Sequence, residues 1–341
     1  MQTGAFMKSL VSIPEGRIFN TFFTPDNIRL IESLGDVVWH SGDTKMSESE
    51  LIEKIGDCDA YIALWGSPAL TERVLEAAPR LRLMTVLGST VAPFVSDAMW
   101  DRGIRVISGF EWYAESTAEG AISYMLSALR QIPFYSERLK REGVWSTPED
   151  YTDGLLYKTV GIVGYGGVGK HLARMLSPWN VKLKVCDIKD IPAEEKQRYK
   201  IEQCGMDELF SSCDVISINL PYTQNTHHII NEELISRAKR GALIVNTARG
   251  AVIDEAALVK HLQAKDIRAA LDVFEKEPIE PDNPILTLDN ALLTPHQAGV
   301  TTNLRAILTR ELLLESADFI DSGLPLKNEI TREYARGMSK K

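Results

Sequence analysis

The sequence has no excess of positive charge: 47 acidic residues stand against 38 basic ones, for a formal net charge of -9. Such a chain repels a phosphate backbone unless a basic stripe is segregated on one face, and the basic stretches "KRGALIVNTARG" and "YSERLKREG" are too short for that. No nucleic-acid partner is expected. Cysteine is scarce as well. Cys58, Cys186, Cys204 and Cys213 form no C-x-x-C pair and no metal-ligand spacing, which predicts reduced thiols rather than a disulfide framework. No apolar run is long enough to span a bilayer, and the opening stretch "MQTGAFMKSLVSIPEG" lacks an extended apolar segment, so the expectation is a cytoplasmic protein without a membrane partner. No internal repeat is evident, and the basic tail "RGMSKK" is the one biased segment. What is present is an ordinary globular composition, 44% hydrophobic and 25% charged, over 341 residues, a length that suits two domains.

From Ile18 to Val106 the runs "DVVWH", "DAYIALWG", "LRLMTVLG" and "IRVI" read as strands, alternating with the amphipathic stretches "PDNIRLIESLG", "SESELIEKIG", "TERVLEAAP" and "SDAMWDRG". That rhythm predicts a parallel sheet covered by helices. Residues 115–142 carry a long helical pattern that Pro133 should kink or break. The alternation then restarts in "TVGIVG", "VKLKVCD", "DVISINLP", "ALIVNTA" and "IRAALDV", so a second sheet follows the first. A last helical stretch, "TTNLRAILTRELLLESADFIDSG", comes after that sheet is complete and has an apolar face at Leu304, Ile307, Leu308, Leu312 and Ala317. The economical reading returns it to the N-terminal domain and makes the middle domain an insertion.

The stretch "VGIVGYGGVGK" sits at a strand-to-helix turn. There Gly164 permits the tight turn, Gly166 lets the backbone approach a pyrophosphate, and Gly169 lets helix and strand pack closely, while the helix N-terminus offers amide donors. Asp187 ends the next strand, where a carboxylate accepts ribose hydroxyls and repels a 2′-phosphate. NAD (NADH) is therefore the expected cofactor and NADP is disfavoured, with Lys189 leaving slight room for it.

Three downstream stretches carry chemistry at strand ends. In "ALIVNTARGAVIDEAAL", Arg249 follows a buried strand and presents a five-donor fork suited to a carboxylate. In "AALDVFEKEPIEPDNP", Asp272 ends another strand and Glu277 lies in a Pro-rich loop, and in "NALLTPHQAGVTT" His296 leaves a third. Hydride transfer between a nicotinamide and a 2-oxo acid needs one group to hold the carboxylate and another to exchange a proton with the oxygen. Arg249 and His296 have those chemistries, and a Glu beside the imidazole favours its charged form.

The motifs "GIVGYGGVG", "NLPYTQNTHHIIN", "LIVNTARGAVIDEAAL", "AALDVFEKEP" and "LLTPHQAG", in this order, resemble those of the D-isomer-specific 2-hydroxyacid dehydrogenase family over residues 80–305. The resemblance implies an α/β protein of two Rossmann-like parallel-sheet domains, the cofactor domain inserted within the substrate domain. Residues 1–114 and 306–341 then form a flavodoxin-like substrate domain and residues 115–305 the NAD-binding domain. It also implies an NAD-dependent enzyme acting on a 2-oxo or D-2-hydroxy acid, of the glyoxylate or hydroxypyruvate type or bulkier, and a homodimer to which residues 115–142 contribute. By position, Arg249 matches the substrate-binding arginine, His296 the acid/base and Glu277 its partner. Asp272 matches the carboxylate near the nicotinamide carboxamide, Gly167 and Val168 the pyrophosphate-contacting pair, and Thr247 and Ala248 the backbone lining the nicotinamide end, with Gly299 also counted among the cofactor residues.

Some positions depart from the family pattern. The substrate-carboxylate loop reads "LGSTVAPF": Gly88 fits, Thr90 replaces a glycine and Ala92 an acid, so Gly88, Ser89 and Thr90 are the expected substrate-binding set. Tyr113 stands where Asn is common, and with Trp112 it would line the crevice beside the substrate. Two rivals share the fold: a nucleotide-sensing co-repressor-like binding protein, and a phosphite or formate dehydrogenase. Glu277 counts against formate oxidation, because such enzymes carry Gln there. His227 and His228 read as surface residues without a third ligand, and Trp100, Met125 and Trp145 as packing groups.

Overall fold

The structure is a computed structural model that describes residues 7–338; the outer parts of the opening stretch and of the basic tail lie outside the described residues. The chain divides into two compact units, one from the described parts of Met1–Tyr113 and Val300–Lys341, the other from Ala114–Gly299.

The first unit is built on five strands: β1 (Ser9–Val11), β2 (Val37–Trp39), β3 (Ala60–Ala63), β4 (Leu83–Val86) and β5 (Arg105–Ser108). All pairs are parallel, in the order β2-β1-β3-β4-β5, the flavodoxin-like order. Alternation splits the sheet between two cores. Leu10, Tyr61, Met84 and Val106 face one, and Val11, Ile62 and Leu83 face the other. The helices between strands start at side-chain caps. Thr24, Ser47, Thr71 and Ser96 each accept from a backbone N–H of the first turn, and Ser47 and Glu50 complete a capping box.

The terminal helix Thr302–Ser322 belongs to this unit and buries Leu308, Leu312 and Ala317 beside Val11 and Leu83. Asn27 Nδ2 donates to the Phe22 and Ala306 carbonyls at 2.7 and 2.9 Å, and the Thr85 and Ser316 hydroxyls meet at 2.8 Å. Ile307, expected on the apolar face, is 48% exposed. The buried stripe runs instead through Leu308, Leu312, Leu313 and Ile320, centred roughly on the opposite side of the helix from it.

The second unit carries seven strands: β6 (Thr159–Val163), β7 (Lys182–Cys186), β8 (Ile201–Gln203), β9 (Val215–Ile218), β10 (Leu243–Asn246), β11 (Arg268–Leu271) and β12 (Ala291–Leu293). They pair in parallel in the order β12-β11-β10-β9-β6-β7-β8. Chain order reverses between β6 and β9, the place where doubly wound sheets bind ligands.

Strands β1 and β8 escape the periodicity argument: Ile201–Gln203 has a single apolar residue, and Ser9–Val11 lies ahead of the alternation that starts at Ile18. The long helical pattern breaks into Phe110–Leu129 and Ile132–Glu142 around Gln131, which has a left-handed φ of 51°. Pro133 thus falls in the first turn of the second helix, where its missing N–H removes no helical bond. Met125 is fully buried and Trp100 partly packed, but Trp145 is 86% exposed and is no packing group: it lies on an irregular segment past the second helix.

Candidate active site

At the β6 end the chain turns sharply: Gly164 has φ +93°, and a Cβ there would stand 2.9 Å from the Asn219 carbonyl oxygen. A Cβ on Gly169 would meet the Gly164 carbonyl oxygen at 2.1 Å, so only glycine lets this helix sit on its strand. Gly166 differs. A Cβ there would meet nothing within 4 Å, although the backbone is ordinary and extended. The glycine therefore keeps a space open rather than avoiding a protein neighbour. Gly166 is also the N-cap of helix Gly167–Leu176 and provides no side-chain cap, leaving the first-turn amides, Gly167 and Val168 among them, free of a capping oxygen. An uncapped amide cluster beside empty space fits a pyrophosphate.

Asp187 follows β7 and is held from two sides: it accepts from Tyr165 N at 2.7 Å and from Lys189 N at 2.8 Å. These bonds tie the carboxylate to the glycine turn. Ile188 beside it is completely exposed.

The ends of β10, β11 and β12 bring Arg249, Glu277 and His296 together. Asn246, closing β10, accepts from Ala248 N and donates to the Arg249 carbonyl, both at 3.0 Å, and so shapes the turn. Gly250 is indispensable here: a Cβ would fall 1.9 Å from the Phe274 carbonyl carbon. The Arg249 turn thereby presses against the segment leading to Glu277, a requirement that sequence reasoning missed, since "ARG" carries no local turn signature. The half-buried Arg249 guanidinium donates to the Ala248 carbonyl at 2.6 Å and has no carboxylate within ion-pair distance among the described residues. Burial lowers its pKa, against the charge of Glu277, which raises it. Thr247 Oγ1, buried at the same sheet end, has no hydrogen-bond partner among the described residues. An unpaired cation and an unsatisfied hydroxyl at the sheet's switch end fit a nicotinamide and an anionic substrate.

His296 Nδ1 lies 2.9 Å from Glu277 Oε2, and Glu277 Oε1 accepts from Phe274 N at 3.1 Å. The imidazole is half exposed, its backbone is left-handed with φ 54°, and its N–H donates to the Asp272 carbonyl at 2.8 Å. Asp272, matched above to the carboxylate near the nicotinamide carboxamide, is 1% exposed. Its carboxylate accepts from Tyr124 Oη at 3.1 Å, Thr294 Oγ1 at 2.7 Å, Gln297 N at 2.7 Å and Ala298 N at 2.8 Å. Both oxygens are engaged in shaping the loop that carries His296. The loop is braced further along, where Ser116 Oγ donates to the Gly299 carbonyl at 3.1 Å and a Cβ on Gly120 would stand 2.8 Å from the Ala298 oxygen.

In the first unit, the Gly88 carbonyl accepts from Gly109 N at 3.1 Å, and Ser89 and Thr90 are half-buried. A Cβ on Gly88 would be 3.6 Å from Trp65 Nε1, and Trp65 meets Tyr113 edge-on at 6.3 Å between centroids. Burial pushes the Tyr113 phenol up. Trp65 was read only as part of a strand; nothing local marks it as a neighbour of Gly88.

A doubly wound parallel sheet with an uncapped glycine cradle and a carboxylate closing the next strand defines a dinucleotide-binding α/β protein. The chain belongs to the D-isomer specific 2-hydroxyacid dehydrogenase family, whose NAD-binding domain its residues 122–298 match. It is 37% identical over 278 residues to D-3-phosphoglycerate dehydrogenase of Methanocaldococcus jannaschii, covering 81% of this chain and 52% of that protein. The chain thus spans about half the length of that relative, at 52%. Glyoxylate reductase of Korarchaeum cryptofilum is 32% identical over 327 residues, 94% of this chain and 97% of the other. The solved apo structure of D-mandelate dehydrogenase from Rhodotorula graminis superposes with a TM-score of 0.78 at 25% identity, covering 96% and 98% of the two chains. No described helix is long and apolar enough to cross a membrane.

Proposed function

We propose that the protein is an NAD-dependent reductase of a small 2-oxo acid, working reversibly as a D-2-hydroxyacid dehydrogenase. The observation that carries this reading is the juxtaposition of an unpaired guanidinium with a His–Glu pair at the carboxyl ends of β10, β11 and β12. Arg249 binds the substrate carboxylate and polarises the C2 carbonyl through its fork. His296, whose Nδ1 is occupied by Glu277, presents Nε2 to the substrate oxygen and gives it a proton in reduction or takes one in oxidation. Asp272 is a positioning residue that fixes the His296 loop. In the first unit, Gly88, Ser89, Thr90 and Tyr113 are the substrate-binding candidates, with Trp65 beside Gly88 and Tyr113.

The cofactor is held by the Gly164–Gly169 turn with the Gly167 and Val168 amides, by Asp187 at the ribose, and by Thr247, Ala248 and Gly299 at the nicotinamide end. When bound, NADH supplies the hydride for C2. The near full-length match to a glyoxylate reductase supports a short 2-oxo acid.

A homodimer is supported by the apolar residues that the second unit leaves exposed on and after helix Ile132–Glu142: Ile132 at 55%, Phe134 at 48% and Trp145 at 86%. A cytoplasmic setting is supported by four free cysteines. The Cys58 and Cys204 thiols are pushed up to about 11 and that of Cys213 to about 12, chiefly by burial, so none is a reactive thiolate.

The deciding experiment is NADH oxidation with glyoxylate, hydroxypyruvate, pyruvate and a bulky 2-oxo acid. Turnover with one of them, abolished in His296→Ala, is the expected result. Silence across the panel with tight NADH binding would identify a nucleotide sensor instead, and NAD reduction by phosphite or formate alone would identify the other rival.

A further inference from the structure

His227 and His228 lack a third ligand in the sequence, but the fold supplies one. The loop after β9 brings both imidazoles beside Glu275, which lies in the loop after β11. One ligand atom from each of the three residues lies within 4.8 Å of the others. His228 Nε2 is 2.6 Å from Glu275 Oε1, and the His227 ring is stacked on His228 with centroids 3.9 Å apart.

The backbone beneath the cluster is fixed. His228 N donates to the Ala251 carbonyl at 3.0 Å, and Glu275 N donates to Glu255 Oε2 at 3.0 Å. Gly250, where a Cβ would lie 2.4 Å from Glu275 N, packs the turn after β10, which carries Ala251, directly against Glu275.

We infer that His227, His228 and Glu275 form a binding site for a divalent transition ion of the zinc class. Two imidazoles and one carboxylate are a donor set that zinc favours, with bonds of about 2.0–2.2 Å. A tetrahedral ion with such bonds holds its donors roughly 3.4 Å apart, so closure requires rotation of the exposed His227 side chain and a small retreat of Glu275 from His228. The fourth position is left to water. The bound ion clips the loop after β9 to the segment that carries Glu277, because Phe274 N, next to Glu275, donates to Glu277 Oε1. The site is independent of the proposed substrate chemistry.

The test is a titration of the chelator-treated full-length chain with Co2+, followed by visible absorption, with Zn2+ as the competing ion. Saturation at one Co2+ per chain, displaced by Zn2+, is expected. His227→Gln and Glu275→Gln should each weaken binding at least tenfold. His261→Gln should leave it unchanged, although that histidine lies 3.4 Å from Glu232 and 3.6 Å from Asp266. Because His227 is exposed, its variant keeps the fold, which circular dichroism verifies, and its result decides the matter if Glu275→Gln does not fold. No uptake by the wild-type chain, undiminished affinity in His227→Gln, or loss confined to His296→Gln would each overturn the assignment.

Discussion

The two sheets share a parallel topology with a reversal of chain order, yet they treat that reversal in opposite ways. In the first unit the end of β1 is sealed by side chains: buried Ser12 Oγ lies 3.1 Å from the Ile62 carbonyl oxygen and 2.8 Å from Ser67 Oγ, and Ser67 Oγ accepts from Leu64 N. In the second unit the end of β6 is kept open by Gly166, whose missing side chain borders empty space, and the helix behind it has no capping oxygen. One switch point satisfies its own polar groups; the other leaves amides for a ligand to satisfy. Topology alone therefore does not make a nucleotide site, and the chemistry of a few residues at the turn decides which sheet carries it.

That contrast can be broken most severely at the His–Glu pair. His296→Ala should lower turnover about 100- to 10,000-fold while NADH affinity, measured by fluorescence titration, stays near wild type. Next, Arg249→Gln removes a charged fork worth roughly 1.5–3 kcal/mol, so kcat/KM for the oxo acid should fall about 10- to 100-fold. The glycines sharpen the comparison further. Gly166→Ala should weaken NADH binding about tenfold with an unchanged thermal midpoint, since each 1.4 kcal/mol is tenfold. Gly169→Ala, whose Cβ meets backbone, should destabilise the fold by about 1–3 kcal/mol in urea. Equal loss of stability in both variants would show that Gly166 is a packing glycine too. Asp187→Asn should narrow the preference for NAD over NADP by several-fold, read from the ratio of kcat/KM values. Smallest, Ser12→Ala should cost about 1 kcal/mol of stability and leave NADH affinity untouched.

Much of this was legible in the chain. Ten of the twelve strands lie in runs that local apolar patterning marks, from "DVVWH" in the first unit to "NALLTPHQAG" in the second. The turn at Gly164–Gly169, with Asp187 after the following strand, was readable because strand, glycines, helix and acid are neighbours in sequence. The residues that escaped notice have partners far along the chain. Gly250 is required by Phe274, Trp65 stands beside Gly88, and Glu275 completes the pair at His227 and His228. Asp272 was noticed, but its neighbours were not: four donors, one of them from Tyr124, surround its carboxylate.

The sequence by itself determined the alternation of strands and helices, the glycine turn and the identity of the candidate side chains, because each rests on spacing within a few residues. Tertiary structure alone decided which imidazole meets which carboxylate, which buried acid shapes a loop and which glycine yields to a neighbouring backbone. Those outcomes depend on distances between segments that only the assembled sheet brings together.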